Sequence, residues 1–174
     1  PRGRAAQMNA GAGISRGSHL LFLHADTRLP DGYSVHIRRI LNDSAAAGAF
    51  RFGIAQPFSG RRLVEWVTNF RARKLQMPYG DQAIFIRRLD FFEMGGYKPM
   101  PIMEDYDLIR RLRRRGRIVI ADAAALTSGR RWLELGALRT TLINQLMITG
   151  YHCGVAPEKL AKFYRNVNNR KSGQ

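Results

Sequence analysis

The sequence has a single cysteine, Cys153, among its 174 residues. One cysteine cannot form an internal disulfide, and no group of cysteines and histidines has the spacing of a structural zinc site. Such sparing use of cysteine is typical of proteins in reducing compartments. We therefore expect an intracellular protein whose fold depends on a packed core rather than on crosslinks.

Long apolar runs are also missing. The main candidates, residues 20–23 and 83–86, are short, whereas a helix needs about 20 apolar residues to cross a bilayer. The chain opens with Pro1-Arg2-Gly3-Arg4 and lacks the order of charged, apolar and small residues found in a signal peptide. The sequence predicts no membrane span, and we expect the chain to be trimmed or truncated.

Acidic residues are scarce, with 13 Asp and Glu against 29 Lys and Arg, and the formal net charge is +16. This charge predicts attraction to an anionic partner: nucleic acid, an acidic membrane surface or a phosphorylated small molecule. Charge alone does not choose among them. Because 45% of the residues are hydrophobic, the chain can bury a core, and its length suits one domain.

Apolar residues alternate between strand-like and helix-like spacing along the chain. Short apolar or alternating runs predict strands at residues 20–23, 48–54, 83–86 and 118–120. Apolar residues three or four positions apart predict helices at residues 3–16, 33–42, 63–70, 89–94, 102–115, 132–151 and 157–164. This order predicts an α/β sandwich with a largely parallel or mixed sheet and a central, fully buried first strand.

The first polar group that could carry chemistry is His24-Ala25-Asp26-Thr27, directly after the first predicted strand. Ligands of open α/β sheets bind beyond the carboxyl ends of the strands. Asp26 is a candidate ligand for Mg²⁺ or Mn²⁺, which take one or two carboxylates together with substrate phosphate oxygens. The alternative is a turn or capping residue, and spacing alone favours that alternative.

The second group is Glu104, Asp105 and Asp107, at the first turn of a predicted helix. Acidic residues at such a position usually stabilise the helix dipole. Since three of only 13 acids cluster here, one of them could instead remove a proton from a hydroxyl group.

Two further segments precede a strand and a helix, Gly80-Asp81-Gln82 and Ser128-Gly129-Arg130-Arg131-Trp132. The paired arginines could neutralise a diphosphate, or they could simply be solvated.

The glycines at 11, 13 and 17 have the wrong spacing and position for a dinucleotide-binding loop. The arginines of residues 110–117 predict a basic amphipathic helix, either solvated or in contact with anionic lipid or nucleic acid.

Taken in order, these segments resemble the family 2 glycosyltransferases of the GT-A fold. Residues 4–11 look like the helix before the family's metal-binding strand, and residues 21–27 resemble that strand with its Asp-x-Asp motif. Gly80-Asp81-Gln82 resembles the acceptor-side strand, and Glu104-Asp105 matches the pair whose Asp is the usual catalytic base. Residues 128–132 are similar to the Gln-x-x-Arg-Trp motif.

The resemblance spans roughly residues 2–165 and implies a GT-A-like three-layer α/β/α sandwich with a mixed sheet. It implies a partial domain at residues 1–165 that lacks the first βαβ nucleotide-binding unit, followed by a frayed tail at 166–174. The implied activity is that of an inverting, metal-dependent glycosyltransferase, which moves a sugar from a nucleotide-diphospho-sugar to an acceptor hydroxyl.

The resemblance also assigns roles to individual residues. It implies catalysis by Asp105 with Glu104, and a divalent Mn²⁺ or Mg²⁺ at Asp26 with His24. The residues implied in donor binding are Arg4, Asn9, Arg130 and Arg131, and those implied in substrate binding are Gly80, Asp81, Gln82 and Trp132. His24 replaces the first Asp of the metal motif, and Ser128 replaces Gln, which argues against a processive synthase.

Two alternatives remain at this stage: a basic nucleic-acid-binding module, and a catalytically inactive GT-A-like interaction fragment. Nucleic acid is the weaker candidate because no known binding motif accompanies the charge. For the transferase we expect a cytoplasmic location, peripheral contact with an anionic surface at the inner face of the membrane, and a lipid-linked acceptor.

Overall fold

The computed structural model describes residues 3–169 and has an α/β architecture. A mixed five-stranded sheet has the order β1-β4-β3-β5-β2. Within these described residues, only β3 and β5 pair in parallel, and the other neighbouring strands are antiparallel. The strands are β1 His19–Leu21, β2 Thr27–Arg28, β3 Ala47–Ile54, β4 Phe85–Arg87 and β5 Ile118–Thr127.

Helices connect the strands and follow the last one. Within the described range they are α1 Arg4–Ile14, α2 Tyr33–Asn42, α3 Arg61–Lys74, α4 Arg88–Glu93, α5 Glu104–Arg113, α6 Arg130–Leu135, α7 Ala137–His152 and α8 Pro157–Asn169. A short 3-10 turn, Gly80–Gln82, precedes β4. None of the helices in residues 3–169 is long and apolar enough to span a membrane.

The sheet has helices packed on both of its faces. On one face, Phe50 and Phe85 pack in a buried cluster with apolar residues of α2. On the other face, Ile84 and Ile86 share a larger cluster with residues of α1, α5, α7 and α8, among them Leu108. The alternation of residues 84, 85 and 86 between the two clusters follows from the two-residue period of a strand.

The centre of the sheet is formed by β3 and β5, whose register runs from Ala47 opposite Ile118 to Ile54 opposite Thr127. Close packing requires a glycine here, because a Cβ on Gly48 would lie 2.3 Å from the Phe85 ring.

The element order and the strand pairing confirm the prediction of an α/β fold with a mixed sheet.

The prediction that the first strand is central is wrong. β1 lies at one end of the sheet within the described residues and pairs with β4. An apolar run shows that a strand packs against other residues but does not identify its hydrogen-bonding neighbours, so its place in the sheet could not be inferred.

Most element boundaries differ from the prediction by a few residues, and β2 was not predicted. Three larger differences concern α6, β5 and α8. Residues 132–151 do not form one helix, because Gly136 has a φ of 79° and separates α6 from α7. β5 continues to Thr127, past an alanine-rich segment of weak strand propensity. α8 continues to Asn169, so part of the predicted tail is helical, and residues 170–174 lie outside the described residues.

Candidate functional site

A cavity of about 310 Å³ lies where several loops and helix ends meet. The loops that follow β1 and β5, the 3-10 turn and the start of α5 contribute to its walls, and α6, α7 and α8 complete them. The sequence-predicted residues that line it are Arg4, His24, Asp26, Gly80, Asp81, Asp105, Arg130, Arg131 and Trp132. Segments that are far apart in the sequence thus share one cavity.

The pairing of β2 with β5 holds two of these loops together. The hydroxyl groups of Thr27 and Thr127 are hydrogen-bonded at 3.1 Å. One residue further along, the Ser128 backbone N–H donates to the Asp26 carbonyl oxygen at 3.0 Å. The backbone of Asp26 is therefore fixed beside the segment that carries the paired arginines, and its side chain is exposed.

Asp105 is held by two backbone hydrogen bonds. Its Oδ2 accepts from the Gly80 N–H at 2.8 Å, and its Oδ1 accepts from the Tyr106 N–H at 2.7 Å. This pairing keeps the carboxylate at the cavity wall. Gly80 can approach Asp105 this closely because it has no side chain. A Cβ at this position would lie 2.5 Å from His24 Nε2 and would push the backbone and the imidazole apart.

His24 is largely enclosed by the cavity walls. Burial lowers the pKa of its imidazole, and the Arg4 guanidinium lowers it further, whereas Asp105 and Asp26 oppose the shift. The imidazole is therefore neutral at neutral pH, when one ring nitrogen can accept a hydrogen bond or bind a metal ion.

Asp81 has a strongly perturbed carboxyl group. Burial, together with the nearby negative charge of Asp105, raises its pKa to about 6 against the opposing effect of the Arg71 guanidinium. Asp81 Oδ1 is buried without a hydrogen-bond partner in the part of the chain that the structure describes. A buried acceptor without a partner lowers the stability of the fold, so this oxygen is a candidate to bind a proton, a hydrogen-bond donor or a cation.

The two predicted arginines differ in their environments. Arg130 is exposed, with 81% of its side chain accessible. The Arg131 guanidinium lies over the Tyr164 ring at 4.6 Å and donates from Nη1 to the Tyr164 hydroxyl. Its Nε and Nη2 atoms are buried and have no partner within residues 3–169. Arg131 therefore presents unsatisfied donors that suit an anionic ligand.

Trp132 also lines the cavity, and its ring packs against Phe52 with the centroids 5.7 Å apart. The contact joins the cavity wall to β3, so the indole is supported by the central sheet. A flat, partly exposed aromatic surface of this kind can pack against the apolar face of a ligand.

Glu104 lies behind the cavity wall rather than on it. The Glu104 side chain is 1% exposed, and Arg4 Nε lies 2.8 Å from its Oε1. Burial raises the pKa of Glu104, and the attraction of Arg4 opposes the shift. In this position Glu104 orients Arg4, which does line the cavity.

Asn9 and Gln82 were predicted to bind ligands, but their side chains are used within the fold. The Asn9 amide donates to the Tyr97 carbonyl oxygen at 2.8 Å and accepts from the Tyr97 N–H at 2.9 Å. Gln82 is fully buried, donates to the Phe50 carbonyl oxygen and accepts from the Tyr79 N–H. Neither residue lines the cavity.

Asp107, the third acid of the cluster, points elsewhere. Its carboxylate accepts hydrogen bonds from Arg111, Lys98 and the Tyr151 hydroxyl. Burial opposes its ionisation, but the bonds from Arg111 and Lys98 prevail and lower its pKa. Asp107 is therefore an ionised residue of the fold outside the cavity.

Several residues at or near the cavity were not found from the sequence, and Arg71 and Tyr79 are two of them. Arg71, at the end of α3, lies 3.4 Å from the centroid of the Tyr79 ring, and its Nε donates to the Met77 carbonyl oxygen. Burial raises the pKa of Tyr79 to about 12, although Arg71 opposes the shift. In the sequence Arg71 is one of several basic residues on a helix, and nothing distinguishes it.

The arginines of residues 110–117 are not equivalent. Arg111 is turned inward and donates to the carbonyl oxygens of Met94 and Gly96 as well as to Asp107. Arg113, Arg114 and Arg115 are exposed. Only part of this predicted basic face is therefore free to contact an anionic partner.

Among residues 3–169 there is no group of three or more His, Cys, Asp or Glu side chains that could hold a metal ion by itself. The cavity does contain Asp26, the neutral His24 and the unpartnered Oδ1 of Asp81. Mg²⁺ and Mn²⁺ commonly take one or two carboxylates and complete their coordination with substrate phosphates and water. These side chains could therefore supply only part of the coordination of a cation, which would take its remaining ligands from a bound phosphate or from water.

Comparison with models of known protein families and with curated protein sequences finds no match to this chain.

Proposed function

We propose that the protein is an inverting glycosyltransferase that uses a nucleotide-diphospho-sugar donor and a divalent cation. The proposal rests on the convergence of Asp26, Asp105 and Arg131, which come from three distant parts of the chain and line one cavity. This combination suits transfer from a diphosphate, since the reaction needs a base for the acceptor and positive charge for the leaving group.

Asp105 acts as the base in this proposal. Its carboxylate takes the proton of the acceptor hydroxyl as the acceptor oxygen attacks the anomeric carbon. The bond from that carbon to the diphosphate oxygen breaks, and the departing nucleoside diphosphate keeps the electron pair. Because the bonds from Gly80 and Tyr106 fix both carboxylate oxygens, Asp105 meets the acceptor in one orientation.

Arg131 stabilises the charge that develops on the departing diphosphate through its free Nε and Nη2 donors. Arg130, at the cavity rim, adds positive charge without a fixed geometry. Asp26, with His24 or Asp81, would hold a divalent cation, which supplies Lewis-acid stabilisation of the leaving group when it is bound. Trp132 and Asp81 remain as candidates for contacts with the acceptor.

Calorimetry with inorganic pyrophosphate and Mn²⁺ tests this proposal, because pyrophosphate carries the diphosphate group that Arg131 and the cation at Asp26 would bind. We expect the two ligands to bind together more tightly than either does alone. Asp26→Asn and Arg131→Gln should each weaken this joint binding by about tenfold or more.

The matched control is Asp122→Asn, which neutralises an exposed acid that pairs with Arg73 outside the cavity. This variant should bind as the unmodified chain does. Absence of joint binding, or equal affinity in all three variants, would reject the proposal. Salt-dependent binding to generic DNA without any pyrophosphate binding would favour the nucleic-acid alternative instead.

A further inference from the structure

Helix α3 packs against the sheet through its polar side. The Asn69 side chain accepts from the Phe52 N–H at 2.8 Å and donates to the Phe52 carbonyl oxygen at 2.9 Å. Glu65 Oε1 accepts from the Ile54 N–H at 2.8 Å. These bonds satisfy backbone groups of β3 beyond its short pairing with β4 at Gly48. Polar residues on α3 thus take the place of a neighbouring strand.

The apolar side of α3 consequently faces outward. Leu63 is 64% exposed, Trp66 63%, Val67 44% and Phe70 53%. We call these four residues the α3 stripe. The Trp66 and Phe70 rings stack on each other with centroids 5.7 Å apart. No described residue buries the stripe, although the spacing of its residues is that of a helix packing into a core.

Positive charge surrounds the α3 stripe. Arg62 and Lys74 are exposed on the same helix. Arg73 is exposed as well and forms an ion pair with Asp122 of β5, and Arg51 of β3 shares a groove with Trp66 and Phe70. Glu65 is the one acid of α3, and its carboxylate faces β3. The outward surface of this helix is therefore apolar and basic.

We propose that α3 binds the surface of a bilayer that contains anionic lipids, lying in the plane of the headgroups with its stripe inserted among them. Trp and Phe side chains are favoured at this depth of a membrane, and flanking arginines and lysines add attraction to anionic headgroups. The proposal uses no residue of the cavity, so it does not depend on glycosyl transfer.

A lipid surface fits these residues better than the other possible occupants do. In a symmetric contact between two copies of the chain, Arg62, Arg73 and Lys74 of one α3 would approach those of the other, and like charges repel. Nucleic acid would match the positive charge but leave the four apolar side chains in water. A bilayer interface buries the stripe and matches the charge at once.

Vesicle sedimentation with the full 174-residue chain tests the proposal. Vesicles of phosphatidylcholine alone are compared with vesicles of an equal mixture of phosphatidylcholine and phosphatidylglycerol. We expect binding to the mixed vesicles. The double variant Trp66→Gln, Phe70→Gln should weaken the affinity for the mixed vesicles by about tenfold or more, because burying one large apolar side chain raises an affinity by roughly a factor of ten. Circular dichroism verifies that the variant is folded.

Two controls separate α3 from other surfaces. Leu89→Gln replaces an exposed leucine of α4 and should leave vesicle binding unchanged. Neutralising Arg113, Arg114 and Arg115 together should have a smaller effect than the double variant. A greater loss from these arginines would move the contact to α5 and overturn the proposal, as would full binding by the double variant or no binding to mixed vesicles.

Self-association is the remaining outcome. Analytical ultracentrifugation that detects dimers in the unmodified chain but not in the double variant, together with absence of vesicle binding, would assign the stripe to a second copy instead. Emission from Trp66 adds a direct readout in a Trp132→Phe background. A blue shift on adding mixed vesicles is expected, and unchanged emission would contradict insertion.

Discussion

The His24 imidazole and the Asp105 carboxylate both lie within 3.0 Å of the point that a Cβ on Gly80 would occupy. The backbone N–H of the same glycine donates to Asp105. The absence of a side chain at position 80 therefore determines how closely the proposed base and the proposed metal-site residue can approach each other.

Gly80→Ala should displace His24, Asp105 or both, because its new Cβ would meet the imidazole at 2.5 Å. We expect joint binding of pyrophosphate and Mn²⁺, measured by calorimetry, to fall by about tenfold or more. Gly11→Ala is the matched control, since a Cβ there has no described neighbour within 4 Å. In the interior of α1 this change should stabilise the protein by about 1 kcal/mol. Unchanged joint binding of pyrophosphate and Mn²⁺ by Gly80→Ala would contradict the close contact of Gly80 with His24 and Asp105.

Asp105→Asn should reduce sugar transfer by about 10² to 10⁴ while leaving pyrophosphate binding nearly intact, because a general base acts in the transition state. Asp107→Asn should retain most of the activity and instead lower stability by roughly 1–3 kcal/mol, through its bonds to Arg111 and Lys98. The measurement is turnover with denaturant unfolding for both variants. If Asp107→Asn lost transfer and Asp105→Asn did not, the base would be misassigned.

Asp81→Asn should stabilise the protein at neutral pH but not in acid. The folded-state pKa of Asp81 is raised to about 6 from 3.8, so the folded protein binds this proton more tightly than the unfolded chain does. Stability is therefore lost as the pH rises through this interval, by at most about 3 kcal/mol above it. Asparagine cannot ionise and removes the loss.

Urea unfolding of both forms at about pH 8 and about pH 4 measures the Asp81 effect. The difference between the two forms should be present at the higher pH and nearly absent at the lower one. A difference of the same size at both values would mean that asparagine acts through packing or hydrogen bonding rather than through ionisation.

Arg131→Gln should weaken pyrophosphate binding by about tenfold or more, because a buried guanidinium with free donors makes strong bonds to a diphosphate. Arg130→Gln should weaken it only two- to threefold, because a mostly exposed charge is screened by water and salt. Titrations at low and high salt separate the two, since the Arg130 effect should disappear in high salt. Equal effects from both variants would indicate general electrostatic attraction.

Much of this arrangement follows from local sequence patterns. Residues 83–86 were predicted to be a buried strand, and Ile84, Phe85 and Ile86 are all buried, with β4 covering Phe85–Arg87. Asp26 follows a predicted strand, and Asp105 and Arg131 lie at predicted helix starts. Ligands of α/β sheets bind at such ends, and the cavity lined by these three residues does lie there.

Other features depend on contacts between distant residues. Periodicity identified the apolar face of α3 but could not show that Asn69 and Glu65 would bond to β3 and turn that face outward. Nothing local distinguishes Asn9, which binds Tyr97, from a ligand-binding asparagine. Likewise, Glu104 and Asp105 are adjacent in the sequence, and only the packing around α5 places one behind the wall and the other on it.

The inward turn of Arg111 divides a uniform run of arginines into positions with different tolerance to substitution. Its guanidinium serves two carbonyl oxygens and one carboxylate at once. Lysine keeps the charge but has a single nitrogen that cannot reach three acceptors in different directions. Among natural variants of this chain, lysine should therefore be accepted freely at residues 113–115 and rarely at 111.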